Sequence, residues 1–250
     1  DISAKIDATI TSGSLDNYGD LLAENDLTVS TANFGNEGNI SAARNFEITA
    51  SDLTNSGVIF AANNSQFTIN DLTNSGEISA SNILTIAAND ITNSGNILSN
   101  QTLEITATSL INSGVTSSLE SGTNLTLTGD LTSSGVLTAS ANLIINANDI
   151  TNSDEVSAGN DLEITASDVA SSGVIFAAND ADFTISDLDN SGEISAINIL
   201  NITAADLINS GDILSGSNLT ILANSLTNNL DAAITSLAAT LDIQSSLDLE

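Results

Sequence analysis

Glycine recurs in this chain at an interval of nineteen residues, and that interval limits the fold more than any other feature. Gly19, Gly38, Gly57, Gly76, Gly95 and Gly114 set the series. After a two-residue insertion it resumes at Gly135, passes through Asp154 and continues at Gly173, Gly192 and Gly211. Four residues before these positions sits an apolar side chain, as in Leu53, Leu72, Ile91 and Leu110. Two before sits Asn, as in Asn55, Asn74, Asn93 and Asn112, with Ser133 and Ser171 as exceptions. Further along each repeat, pairs such as Leu84/Ile86 and Leu103/Ile105 alternate with polar residues. Alternation of period two reads as strand.

Each repeat therefore holds three short strands, typified by 76–80, 84–88 and 91–93, joined by Ser/Asn/Asp/Gly turns. Turns this short leave no room for helical crossovers, so the strands bury their apolar faces only by coiling and stacking on the next repeat. The expected fold is all-β, a parallel β-helix of about 12 coils with 19 residues per coil. At about 4.8 Å per coil the rod is on the order of 60 Å long.

Stacking gives the columns their chemistry. A buried Asn donates to the amide one coil away and accepts from the other side, so the column satisfies its own polarity. The Gly column is expected to supply a positive φ at a corner, with Asp154 the next best residue there. Core volume is traded within coils: the order Leu103–Ile105–Ala107 becomes Ser65–Phe67–Ile69 and Ala181–Phe183–Ile185. A longer repeat lies above the short one, since residues 57–99 and 173–215 agree at 31 of 43 positions. The chain 1–250 reads as one continuous domain of two six-coil blocks, about 15–130 and 131–246, offset by 116 residues.

Composition then excludes most chemistries. The chain has no His, Cys, Met, Trp or Pro, and 32 acidic residues face only two basic ones, Lys5 and Arg44. No imidazole base, thiolate, disulfide or cysteine metal knuckle is available. A net charge of −30 repels nucleic acid and anionic membranes. No apolar run approaches the roughly 18 residues that span a bilayer, so no membrane insertion is expected. A start at Asp1 rather than Met leads us to expect a signal or larger leader upstream.

The segments LTNSGEISASNILTIAANDITNSGNI and LDNSGEISAINILNITAADLINSGDI resemble the roughly twenty-residue repeats of filamentous-haemagglutinin and haemolysin-type exoproteins, over about residues 15–247. The resemblance implies a right-handed β-helix forming the shaft of a long secreted adhesin, haemolysin or contact-dependent inhibition carrier at the bacterial surface. It implies a two-partner outer-membrane transporter as the export partner of the parent protein. That family's amino-terminal secretion domain, with its Asn–Pro motifs, has no counterpart in a chain without Pro, and a central piece of a longer protein is expected. A monomeric, non-enzymatic shaft segment is the leading expectation. The alternative is an adhesion module that itself binds a cell-surface receptor or glycan.

Three outward columns are candidate sites. Asp52, Asp71, Asp90, Asp130, Asp149, Asp168, Asp187 and Asp206 precede the third strand. They are weak Ca²⁺ candidates, since hard cations take carboxylate oxygens, but capping of turn amides is the favoured role and no cofactor is expected. Stacked carboxylates in water repel by only about 0.9 kcal/mol at this spacing. Thr49, Thr68, Thr106, Thr165, Thr184 and Thr203 line the second strand; Ala87, Asn146 and Leu222 interrupt them, which argues against an ice-binding array. Phe60 and Phe176, with Leu98 and Leu214, form an apolar column on the first strand and a candidate contact surface. Paired carboxylates suggest polysaccharide cleavage only remotely, and Arg44 reads as surface charge. Binding loops would grow as insertions, and only the segments 115–124 and 231–240 qualify.

Overall fold

A computed structural model of the chain describes residues 1–238 and 240–249. Among these residues every regular element is a strand, and every strand pairing is parallel. The first strands of successive coils stack in one thirteen-stranded sheet that runs from Ile2–Ala4 to Ala233–Ser236. The second and third strands stack alongside. In four coils they run together as ten-residue strands, Phe46–Asn55, Ser65–Asn74, Leu200–Asn209 and Leu219–Asn228. The chain is a parallel β-solenoid of about thirteen turns, one more than expected because residues 2–11 already form strands paired with the coil above.

Register follows the sequence period. Asn55 lies beside Asn74 and Leu53 beside Leu72, nineteen residues apart. Each coil sends its even-period apolar residues inward, and Ile40, Ile59, Ile78 and Ile97 form one fully buried column. The traded coils pack as the volumes require: Phe67 is buried between Ile48 and Ile86, with the Phe46 ring edge-on to it at 5.7 Å and 82°. Ser65, the small partner of Phe67, is buried with its Oγ bonded to nothing.

The Asn column is a one-way hydrogen-bonded ladder. Nδ2 of Asn17, Asn36, Asn55, Asn74 and Asn93 donates to Oδ1 of the next Asn at 2.7–2.9 Å. The same Nδ2 also reaches carbonyl oxygens, so that Asn55 holds Gly57 O at 3.2 Å and Glu77 O at 3.0 Å. A second ladder joins Asn190, Asn209 and Asn228 at 2.8 Å. Between the two, Ser133 accepts from Asn112 at 3.4 Å but donates back to Gly135 O at 2.9 Å. Its hydroxyl is too short to reach on, and Asn152 Oδ1 is left buried without a donor.

The glycines do not adopt the expected positive φ. None among the described residues has one, and the only residue in that region is Asp231, at 68°. The requirement is space. A Cβ on Gly57 would fall against the carbonyl oxygen of Gly38, far inside van der Waals contact, because successive corners stack backbone on backbone. Asp154 tests this. Glu77 N–H bonds to Gly57 O at 2.9 Å and Val174 N–H to Asp154 O at 2.7 Å, whereas the coil carrying Asp154 first pairs at Leu137–Val156, one position later than in the other coils beyond the first.

The two-residue insertion makes no projecting loop. Leu103 pairs with Thr123 and Leu110 with Leu131, so each of two turns takes one extra residue. Thr116 and Thr123 pair with Ile97 and Leu103 on the coil before and are fully buried. Thr116 donates to Asn112 Oδ1 at 3.0 Å and Thr123 to Ser118 Oγ at 2.9 Å, so this polar layer is satisfied. In the segment 231–240, Ala239 lies outside the described residues.

Three stability outcomes follow from this packing. Ser65→Ala removes an orphaned hydroxyl at a position where the second block already carries Ala181, and is expected to stabilise by about 1 kcal/mol. In thermal unfolding this reads as a rise of about 2–4 °C. Asn55→Leu takes the donor from Asn74 Oδ1 and is expected to cost at least about 1–3 kcal/mol, while Ser133→Asn gives Asn152 Oδ1 a donor and raises the melting temperature. The same melts check all three, and equal effects of Asn55→Leu and Ser133→Asn would contradict the ladder.

Candidate functional site

The interior is filled by side chains, so chemistry is confined to the outward columns and the turns. On the first strand Phe60 pairs laterally with Ser41 and Ser79, and Phe176 with Ser157 and Ser195. Leu98 sits between Ser79 and Ser117, and Leu214 between Ser195 and Thr235. Large and small residues thus alternate along the rod, and Phe60, Phe176, Leu98 and Leu214 are each half-buried. Val58 and Val174, beside the rings, are exposed. The two Phe positions lie six coils, or about 29 Å, apart and are not brought together.

On the second strand Thr49 and Thr68 are neighbours, as are Thr165, Thr184 and Thr203, all exposed. On the third strand Asp52, Asp71 and Asp90 form one file and Asp149, Asp168, Asp187 and Asp206 another, with Ser109 and Asp130 between. These carboxylates splay into solvent, and Asp149 alone is half-buried. Among the described residues no three acidic groups converge to hold a metal ion. Asp90 accepts from Ser109 Oγ at 2.6 Å and Asp130 from Asn148 Nδ2 at 3.2 Å.

Capping of turn amides belongs to a different column, which alternation did not reveal because it lies in the turn between first and second strands. Asp7, Asp26, Asn45, Asn64, Asn142, Asp161 and Asp180 each accept, through one side-chain oxygen, the backbone N–H nineteen residues on. In most of these coils the preceding Asn adds its Nδ2, as Asn179 does to Asp161 at 2.7 Å and Asn198 to Asp180 at 2.7 Å. A shared carboxylate oxygen thus stitches one turn to the next and offsets its own charge.

Arg44 stands at the donor position before this column, where Asn63, Asn82, Asn160, Asn179 and Asn198 stand in other coils. Its Nε donates to Asp26 Oδ1 at 2.9 Å and its Nη2 to Asp26 Oδ2. It is therefore a surface charge, as expected, and one half of a bidentate ion pair. The guanidinium holds the Asp26 carboxyl below the usual carboxylate range, helped by the Asn45 amides, and Asp26 in turn raises the Arg44 pKa.

Of the depressions in the second block, two are bordered by several carboxylates. One of about 230 Å³ is bounded by Asn142, Asp161, Glu163, Asp180 and Asp182 around Ile144. The other, about 380 Å³, lies on the third-strand face, where Asp168, Asp187 and Asp206 border Ala170, Asp189 and Ile208. Thr54, Thr73 and Thr92 hold the equivalent outward places in the first block. The signal for this second depression was a comparison of the two blocks at outward positions of the third strand, where three threonines become Ala, Asp and Ile.

Compared with known proteins, the chain matches no family model, no curated protein and no solved structure.

The Asp26–Arg44 pair gives a pH-dependent outcome. A depressed carboxylate contributes stability that is complete above its unfolded pKa and is lost as pH falls through the lower folded value. In Arg44→Gln the Asp26 carboxyl is expected to titrate closer to an ordinary Asp. The part of the acid-side loss of stability that this pair causes should then vanish. NMR titration of the Asp26 carboxyl carbon reads the first, and urea unfolding across pH 2–5 the second.

Proposed function

We propose that this chain is a non-enzymatic shaft: a stiff, acidic rod that holds a distal activity away from a bacterial cell. The supporting observation is the uninterrupted in-register stacking, in which coil after coil pairs with the next and the sequence insertion is absorbed without a projecting loop. A solenoid of this kind transmits length. Each coil adds about 4.8 Å and contacts only its neighbours, so thirteen turns extend about 60 Å. The net charge of −30 supports the same reading, because like-charged rods repel and stay apart when crowded.

The wider setting rests on the resemblance of the repeats to filamentous-haemagglutinin-type exoproteins. On that reading the rod is part of a larger secreted surface protein, exported through an outer-membrane two-partner transporter, and adhesion or toxicity resides elsewhere in it. Ca²⁺ plays no required part, since the exposed Asp files are tolerated by solvation alone.

Labelled chain incubated with a panel of bacterial and animal cells, with and without calcium, is expected to show no saturable binding, while small-angle scattering gives a rod about 60 Å long. Saturable binding, competed by unlabelled chain, would move the reading to an adhesion module. Loss of that binding in Phe60→Ser/Phe176→Ser would then place the adhesive surface on the first strand.

A further inference from the structure

The duplication inside the chain provides its own control. Core and turn residues of the two blocks match closely, and the Asp files of the third strand are the same in both: Asp52, Asp71 and Asp90 correspond to Asp168, Asp187 and Asp206. An acidic file is therefore ordinary on this face. What differs is the adjoining outward column, where Thr54, Thr73 and Thr92 become Ala170, Asp189 and Ile208. Register puts these three side by side on successive coils. They line the depression of about 380 Å³ together with the acidic file.

We propose that this depression docks a basic peptide segment of a partner protein, one that carries arginine side chains next to aliphatic ones. The small Ala170 opens the floor, and Ile208, 45 % exposed, offers an apolar wall to an aliphatic side chain. Asp187 and Asp189 flank that floor two residues apart on one strand, with Asp168 and Asp206 one coil away on either side. Their charge is not compensated within the chain. Lys5 and Arg44 are its only cations, and Arg44 lies six coils, about 29 Å, from Asp168 and farther from the other three. That exceeds the Debye length of about 8 Å at physiological salt. A guanidinium matches paired carboxylates through its forked donors and is weakly hydrated, so it tolerates the apolar floor better than an ammonium. The apolar contact makes the site selective, since the charge alone recurs along the rod.

The experiment uses the whole chain and two fluorescent probes, acetyl-Arg-Leu-Arg-Leu-Arg-amide and acetyl-Arg-Ser-Arg-Ser-Arg-amide, with affinity read by polarisation at physiological salt. The leucine peptide is expected to bind with one-to-one stoichiometry, at least about tenfold more tightly than the serine peptide. Ala170→Thr/Asp189→Thr/Ile208→Thr, which installs the first block's own residues, is expected to abolish that preference with an unchanged circular dichroism spectrum. The reciprocal graft, Thr54→Ala/Thr73→Asp/Thr92→Ile, is expected to raise the stoichiometry to two. No binding at about 1 mM, equal binding of both probes, or full binding by the first triple variant each overturns the proposal. Should that variant fail to fold, the graft decides: a stoichiometry that stays at one rejects the site.

Discussion

Every feature of the rod depends on backbone hydrogen bonding between coils that lie in register, nineteen residues apart. A strand of four residues gains little from its own coil. It is held by amides and carbonyls directly above and below, so whatever stands at a position is repeated about 4.8 Å away. Columns must therefore be compatible with themselves. Ile on Ile packs, and Asn on Asn completes a hydrogen bond. Gly on Gly lets two corners touch where a side chain would hold them apart. The places where this self-compatibility fails are Asp154, Ser133 and Ser65, and each carries a visible defect: a shortened pairing, an amide oxygen without a donor, a hydroxyl without a partner.

The same constraint bears on charge. Thirty-two acidic residues on a rod with two cations would repel strongly if packed as a lattice, and two of their columns show how that is avoided. In the turn column a carboxylate oxygen accepts a backbone N–H and often an Asn amide from the next coil, which converts a like-charge file into a stitch between turns. On the third-strand face the carboxylates stand in water, where neighbours cost under about 1 kcal/mol before salt screening. Solvent and backbone amides, rather than counter-charges, keep the rod together.

Fold, period and core were legible in the sequence because stacking writes each column as a periodic residue type. The Ile and Leu columns, the Asn ladder and the Phe67 and Phe183 volume exchange were all readable from spacing. The turn ladder was harder to see, because Asp26, Asn45 and Asn64 interchange freely when a single oxygen acceptor is all that the site requires. The glycine role was misassigned for a related reason: a missing side chain is equally consistent with an unusual φ and with close approach. The apolar floor at Ala170 and Ile208 was masked by the regular Asp file beside it.

The sequence by itself determined that this chain coils with a nineteen-residue period, because only a solenoid lets short alternating strands of that spacing bury their apolar sides. Tertiary structure decided how the corners meet, which carboxylates are hydrogen-bonded and which are free, and where the outer face is hollow. Those outcomes depend on distances between residues one coil apart, and composition and periodicity carry no information about distance.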